Sequence, residues 1–362
     1  MTDDGPLVLT PPAVVALVEV DQAVGAIALE SATRVELGEK AATFVGELTG
    51  LDVRSPAFAR KAESISSMGA GDLRAAAAVA GRMLDRPAAA LGRGGADAQT
   101  RVATTLFDLR TTVAELDPKH LTGAKRSWFR GGSPVERHFA RYRSLQAHLD
   151  SIIKALGSGQ DELRKDNAVI ETEKNNMWTT MGKLAEYNEL TAILDAALAA
   201  RITELEAAGR TQDADVVRGE ALFPVRQRRQ DFMTQMAVNV QGYLALELVR
   251  RNNIELIKGV DRAQSTTVVA LRTAVLVAQA LTRQRLVLDQ ISALNTVAAD
   301  VVQPASGVAE LQAAFDQVFA TMDALDTFHA QAIDSMAQTV NALEGQLARA
   351  KRHLERESVA EP

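Results

Sequence analysis

Between Pro134 and Pro304 the chain contains a single proline, Pro224, so two very long stretches rich in Ala, Leu, Glu and Arg lack the residue that most reliably breaks helices. Long helices are the expected outcome. At about 1.5 Å per residue, the stretch from Pro224 to Pro304 alone would reach on the order of 100 Å as one continuous helix. A rod of that kind transmits, scaffolds or embraces a partner more readily than it encloses a catalytic pocket. No stretch alternates apolar and polar residues around Gly/Asn turns as a hairpin does. The expected fold class is therefore all-α: an elongated bundle of long, coiled-coil-like helices with a smaller N-terminal set of short ones.

The first long stretch carries a seven-residue repeat at Leu163, Ile170, Met177, Leu184, Thr191, Leu198 and Leu205. A sustained period of seven is shorter than two turns of a straight helix and implies left-handed supercoiling against a neighbour. The accompanying seam is polar early (Asp166, Asn167, Glu173, Lys174) and apolar later (Met181, Tyr187, Leu194, Ile202), so packing is expected to tighten toward Leu205. Gly209 marks the turn. Pro224 is expected to kink or split the helix that follows, Gln303 to Gly307 supplies the last break, and a final helix runs from Val308 to about Arg356.

Upstream, helices are expected near residues 11–30, 33–49, 56–68 and 72–85. Thr10-Pro11 and Ser55-Pro56 look like N-caps followed by proline in the first turn, where its missing N–H is not needed, and Gly50 and Gly69 look like stops. Arg86 to Gly95 reads as a flexible linker; its glycines have no Gly-Lys-Ser/Thr ending and no following strand, so they make no phosphate loop. Asp97 to Leu116 is amphipathic, with Val102, Leu106, Leu109, Val113 and Leu116 returning at helical spacing. Ser133-Pro134 opens the next helix. These signals divide the chain into residues 1–95, short helices and linker, and residues 96–362, the long-helix region.

Aromatic residues make up only 4% of the chain, so the core must be aliphatic. The absence of cysteine excludes disulfides, thiolate metal sites and any cysteine nucleophile or redox thiol. The five histidines, His120, His138, His148, His329 and His353, are too dispersed for a ligand cluster, so no metal or cofactor is expected. Acidic pairs such as Asp161-Glu162 are what any solvated helix face presents, and Ser133 with His138 lacks a strand-turn-helix elbow, so no enzymatic activity is expected. Asp3 and Asp4 precede the first apolar patch, the wrong sign for a secretory signal, and no window reaches the roughly 20 apolar residues of a membrane span. A cytoplasmic location follows as the expectation, with peripheral contact at the inner membrane face left open.

The formal net charge is −6, yet residues 121–154 carry seven basic side chains against two acidic ones. Lys125, Arg126, Arg130, Arg137, Arg141 and Arg143, with Trp128 and Phe129 beside them, form a patch suited to anionic lipid head groups or a partner surface, because aromatic rings favour the interface and Arg/Lys favour phosphates. The plainer reading of the same residues is a solvated loop and helix start that pairs with acidic helices elsewhere in the chain. Arg226, Arg228 and Arg229 form a second cluster whose donor forks suit oxyanions, or pair with Glu220, Asp231 or a facing helix. Asn175-Asn176 and Asn252-Asn253 interrupt the long helices; buried asparagine in a bundle fixes register, and a ligand site is the other reading. The acidic balance argues against nucleic acid as a partner.

Two stretches together resemble the toxic-anion resistance family, also called TelA-like or tellurite resistance proteins. The first runs from Tyr142-Arg143-Ser144-Leu145-Gln146 through Asp150, Ile152, Leu156, Leu163, Asp166-Asn167 and Glu173 to Trp178 and Met181. The second runs from Arg226 through Asp231, Gln235, Gln241, Asn252-Asn253 and Leu256-Ile257 to the Thr266–Leu271 segment and Gln284. Leu109-Arg110 to Leu116-Asp117-Pro118 is similar to the family's shorter upstream motif. The resemblance covers most of residues 97–300 and implies a bacterial, cytoplasmic and sometimes membrane-associated protein linked to resistance to tellurite, other toxic anions and envelope stress. It implies no catalytic residues.

The function expected is that of a non-enzymatic helical adaptor in stress resistance, with unidentified protein partners and an oligomer compatible with the chain. The alternatives are direct oxyanion binding through Arg226, Arg228 and Arg229, or peripheral membrane binding through residues 121–154. Without cysteine, the polypeptide has no thiol of its own with which to reduce tellurite directly.

Overall fold

A computed structural model of the chain describes residues 13–16, 18–19, 22–23, 25–88, 98–116, 134–294 and 305–358. Every regular element among them is helical: α1 (Ser31–Thr49), α2 (Pro56–Ser66), α3 (Ala70–Ala88), α4 (Ala98–Ala114), α5 (Pro134–Ala207), α6 (Thr211–Val217), a π-helical turn (Arg218–Leu222), α7 (Phe223–Leu294) and α8 (Ala305–Ser358). The three long helices have 74, 72 and 54 residues.

Two local expectations need correction in the N-terminal third. The described residues among 13–30 do not form the continuous helix expected over 11–30; a helical turn closes where Ala23 N–H donates to the Glu19 carbonyl at 3.0 Å. The segment is rich in β-branched valine, and two of its amides are taken by side chains of other elements, Val15 N–H by Thr339 Oγ1 (3.3 Å) and Val18 N–H by Gln241 Oε1 (3.0 Å). The expected linker from Arg86 to Gly95 begins later, because α3 continues through Arg86 and Pro87 to Ala88. The remainder of that linker, Thr10-Pro11 and the 122–133 loop lie outside the described residues.

Pro224 splits its helix, as expected, without ending the helical path. Val217, Arg218 and Phe223 all keep right-handed helical dihedrals, and the break takes the form of the π turn just before the proline. In a regular α-helix the proline ring would press on the carbonyl four residues back, that of Glu220; the wider π turn relieves the clash and absorbs the missing donor. The last helix starts at Ala305, inside the break expected over Gln303 to Gly307, while the signals at Ser55 and Gly209 act as expected. Ser55 Oγ accepts the Phe58 amide at 3.1 Å with proline at the first helical position, and Gly209 turns the chain with φ of 75°.

The described residues fall into two compact units that alternate along the sequence: a first with parts of Gly92–Asn167 and Arg250–Asp334, and a second with parts of Ala13–Leu91, Ala168–Val249 and Ser335–Pro362. In the first unit the amphipathic face expected of α4 (Val102, Leu106, Leu109, Val113, with Leu116) is buried against Leu149, Ile152, Leu156 and Leu163 of α5, Leu256, Val260 and Ala263 of α7, and Phe315, Val318, Met322 and Leu325 of α8. Its α5 and α7 segments run antiparallel: Gln160 Nε2 donates to the Ile257 carbonyl and Asp261 Oδ1, each at 2.8 Å, and Gln264 Nε2 donates to the Ile153 carbonyl at 3.0 Å.

In the second unit α1 and α2 (Ala41, Leu48, Phe58, Ala62, Ile65) pack on Leu194, Leu198, Ile202 and Leu205 of α5 and on the α6 and π-turn residues. Leu73 and Ala76 of α3 pack with Met181, Leu184, Phe232 and Met236. All seven positions of the repeat, Leu163 to Leu205, are buried. Asn252 and Asn253 are buried in the first unit as a register-fixing pair requires, whereas Asn175 and Asn176 are exposed and cannot serve that role. Lys174, in the polar part of the second seam, is buried beside Glu247 (Nζ to Oε2, 2.5 Å) and lies 4.9 Å above the Tyr243 ring centre.

Candidate functional site: an arginine cluster and an apolar groove

Arg226, Arg228 and Arg229 occupy the first turns of α7 in the second unit, immediately after the π turn. Arg226 Nε donates to Asp195 Oδ1 at 2.8 Å, and Arg229 lies 3.8 Å from Asp195 Oδ2. Arg228 reaches Asp231 Oδ2 at 3.2 Å, and the Asp231 side chain is only 1% exposed. The pairing with Asp231 and with the facing helix, one of the two readings of the sequence, is thus what the geometry holds. Two donors remain: Arg228 Nε and Arg229 Nε are buried with no hydrogen-bond acceptor. Continuing along the helix, Gln235 Nε2 donates to Asn239 Oδ1 at 2.9 Å, and both residues are buried.

Of the basic patch, Lys125, Arg126, Trp128, Phe129 and Arg130 lie outside the described residues. Arg137 and Arg141 sit in the opening turns of α5, and their side chains are outside them too.

The first unit displays a feature the sequence reading missed. Ala103, Thr104, Leu106 and Phe107 of α4 and Leu325, Asp326, Ala330 and Ile333 of α8 wall a cavity of about 450 Å³ whose floor is Leu256 of α7. Phe107 is 63% exposed and Ile333 43%, so two large apolar side chains stand in solvent at its edges. The local cause lies in the sequence. The inward face of α4 is complete with Val102, Leu106, Leu109 and Val113, and Phe107, one step round the helix from Leu106, has no place in that core. An aromatic residue off the apolar stripe was the signal available.

Arg110, one turn further along α4, spans two carboxylates of α8, reaching Asp326 Oδ2 and Asp323 Oδ1 at 2.6 Å each. A second cavity of the same unit, about 420 Å³, lies between α5 and α7 and is lined by Leu149, Ile153, Val268, Leu271 and Leu276 with Asp150 and Arg272. Leu276 there is 66% exposed. Among the described residues no helix is long and apolar enough to cross a membrane, and no group of three or more His, Asp or Glu side chains is arranged to hold a metal ion.

An all-helical chain built on three very long helices, with its distinctive residues on helix surfaces and seams, defines the class. The model of the toxic anion resistance protein (TelA) family matches residues 55–307, and the chain belongs to that family. Membership associates it with resistance to toxic anions such as tellurite. It is 25% identical over 178 residues to the uncharacterized protein YceH of Bacillus subtilis (strain 168), a match covering 46% of this chain. The chain spans about half, 47%, of that relative's length. No solved structure matches it.

Proposed function

We propose that this chain serves toxic-anion resistance as a non-enzymatic helical adaptor, engaging protein partners through side chains displayed on its helices. The observation that carries this reading is the groove of the first unit, where Phe107 and Ile333 expose apolar surface beside a formed cavity; exposed apolar surface next to a cavity is characteristic of docking sites. Tagged full-length protein in tellurite-stressed cells is expected to retain a stoichiometric partner. The purified protein alone is expected to leave tellurite chemically unchanged. Catalytic consumption of tellurite by the purified chain, or the absence of any partner in stressed and unstressed cells, would overturn the adaptor reading.

A second reading, direct binding of an oxyanion, is favoured by the unmet donors Arg228 Nε and Arg229 Nε. Calorimetry with tellurite and with phosphate separates the two. Saturable binding that disappears in Arg226→Ala and Arg229→Ala would establish the anion site; no heat from either anion leaves the adaptor. Peripheral contact of residues 121–154 with anionic membrane rests on their charge and on Trp128 and Phe129, and requires co-sedimentation with liposomes that rises with anionic lipid and falls with salt.

A further inference from the structure

The groove between α4 and α8 combines an apolar floor with a carboxylate, Asp326, in its α8 wall. Along the α8 wall from Leu325 to Ile333 no Lys or Arg occurs, and Asp326, with Asp323 one turn before it, supplies the carboxylates of the rim. On the other side α4 supplies only Arg101 and Arg110, and both are engaged: Arg101 with Glu162, Arg110 with Asp323 and Asp326 together. One guanidinium set against two carboxylates leaves the rim net negative. Asp326 lines the groove itself and keeps its side chain 52% exposed.

The dimensions fit a helix. From Leu325 to Ile333 the α8 wall extends about 12 Å at 1.5 Å per residue, close to the span of anchors at i, i+3, i+4 and i+7 on an incoming helix. Ala103 and Ala330 keep the walls low, and Leu256, 1% exposed, closes the floor. Phe107 on one edge and Ile333 on the other offer aromatic and aliphatic contact to a ridge of side chains laid between them.

We infer that the α4–α8 groove docks an amphipathic helix of a partner protein whose aliphatic anchors are flanked by Lys or Arg, an identification of the partner's chemistry that rests on the adaptor reading. Apolar burial supplies the affinity, and the carboxylates select the sign of the flanks and accelerate encounter. An acidic helix of the same apolar pattern is rejected by Asp323 and Asp326.

The test uses the full-length protein and two synthetic helical peptides with identical leucine anchors at i, i+3, i+4 and i+7, one flanked by Lys and Arg, the other by Glu, followed by fluorescence anisotropy. The basic peptide is expected to bind roughly tenfold or more tighter than the acidic one, with the difference collapsing near 1 M salt, where the Debye length is about 3 Å. Ile333→Asp and Phe107→Ala are each expected to weaken the basic peptide roughly tenfold with unchanged helical circular dichroism, because both side chains are solvent-exposed. Asp326→Asn is expected to narrow the gap between the peptides and leave anchor binding in place.

Equal binding of the two peptides, absence of binding, or indifference to both variants overturns the proposal. Self-association of the chain that is lost in Ile333→Asp also overturns it, since a second copy would then be the occupant. A cellular partner retained by Ile333→Asp removes the groove and leaves the adaptor reading standing; a chain with no partner removes the adaptor reading itself.

Discussion

Tyr187 of α5 and Phe232 of α7 stack with ring centroids 4.9 Å apart and planes 13° from parallel, and Gly69, at φ of 66°, backs onto both rings. A Cβ at Gly69 would sit 2.8 Å from Phe232 Cζ and 3.1 Å from Tyr187 Cζ. Gly69→Ala therefore combines left-handed backbone strain with overpacking and is expected to destabilise by about 2–4 kcal/mol. Gly71→Ala, two residues on in α3, meets nothing within 4 Å and is expected to stabilise by about 0.5–1 kcal/mol. Thermal unfolding followed by circular dichroism should move in opposite directions for the two variants.

Asp72 accepts from Lys183 Nζ and from the Tyr187 hydroxyl, each at 2.9 Å. The hydrogen bonds from Lys183 and Tyr187 hold its carboxyl below the usual carboxylate range. Burial, then the bond to Asp72, pushes the Tyr187 phenol up. The lowered Asp72 value means its stabilisation is fully present above the unfolded-state value, about 3.9, and is lost as pH falls through the lower folded one. The raised Tyr187 value means its contribution is present below about pH 10 and is lost as pH rises through the folded value. The unfolding temperature of Asp72→Asn should lie below that of the wild type near neutrality and converge on it under acid; a constant offset down to pH 2 would reject the assignment.

Lys174 is 8% exposed and Glu247 18%, so their ion pair in the second unit is far from a surface contact. Lys174→Met alone is expected to cost about 3 kcal/mol, because Glu247 loses the Lys174 ammonium at 2.5 Å while remaining largely desolvated. Lys174→Met with Glu247→Leu should recover most of that loss. A double-mutant cycle in urea gives the coupling directly, and additive single effects would contradict it.

Gln99 of α4 links α7 through Asn253 and Asn252: its Nε2 donates to Asn253 Oδ1 at 2.5 Å, and its Oε1 accepts from Asn252 Nδ2 at 3.2 Å. Asn253 Nδ2 in turn donates to Asn167 Oδ1 of α5 at 2.9 Å. Gln99→Leu removes two bonds from buried amides and is expected to cost about 1–3 kcal/mol. Hydrogen exchange should speed up in α4, the helix whose polar anchor is lost, while α1 and α2 keep their rates.

The arginines of the second cluster are expected to differ in weight. Arg226 is 57% exposed, and Arg226→Ala should change stability by less than about 1 kcal/mol. Arg228 is 13% exposed and neutralises a buried Asp231, so Arg228→Ala should cost about 3 kcal/mol. Equal effects in chemical denaturation would show that burial is not what separates them.

Much of this protein could be read from residue spacing. The repeat from Leu163 to Leu205 is buried at every position, and the α4 stripe from Val102 to Val113 faces a core, because helical periodicity alone decides which side chains share a face. The cap at Ser55 and the turn at Gly209 follow from local backbone chemistry. The N-terminal segment departs from its expected helix where two of its amides, those of Val15 and Val18, bond to Thr339 and Gln241, which are distant in sequence. The groove was invisible for a related reason: Phe107 and Ile333 are both apolar residues on helices, and nothing in either stretch says that they remain uncovered.

Composition and proline placement determined that this chain is all-helical and dominated by three long helices, because helix formation is governed by propensity and breakers acting within a few residues. Only the tertiary structure decided which polar groups meet. It brought Arg226 to Asp195, Lys174 to Glu247 and Gln99 to Asn253, and it left Phe107 and Ile333 on the edges of an acidic-rimmed groove. Those outcomes depend on which faces of separate helices are set against one another, and a face's partner is fixed by packing over long sequence separations rather than by the period of the face itself.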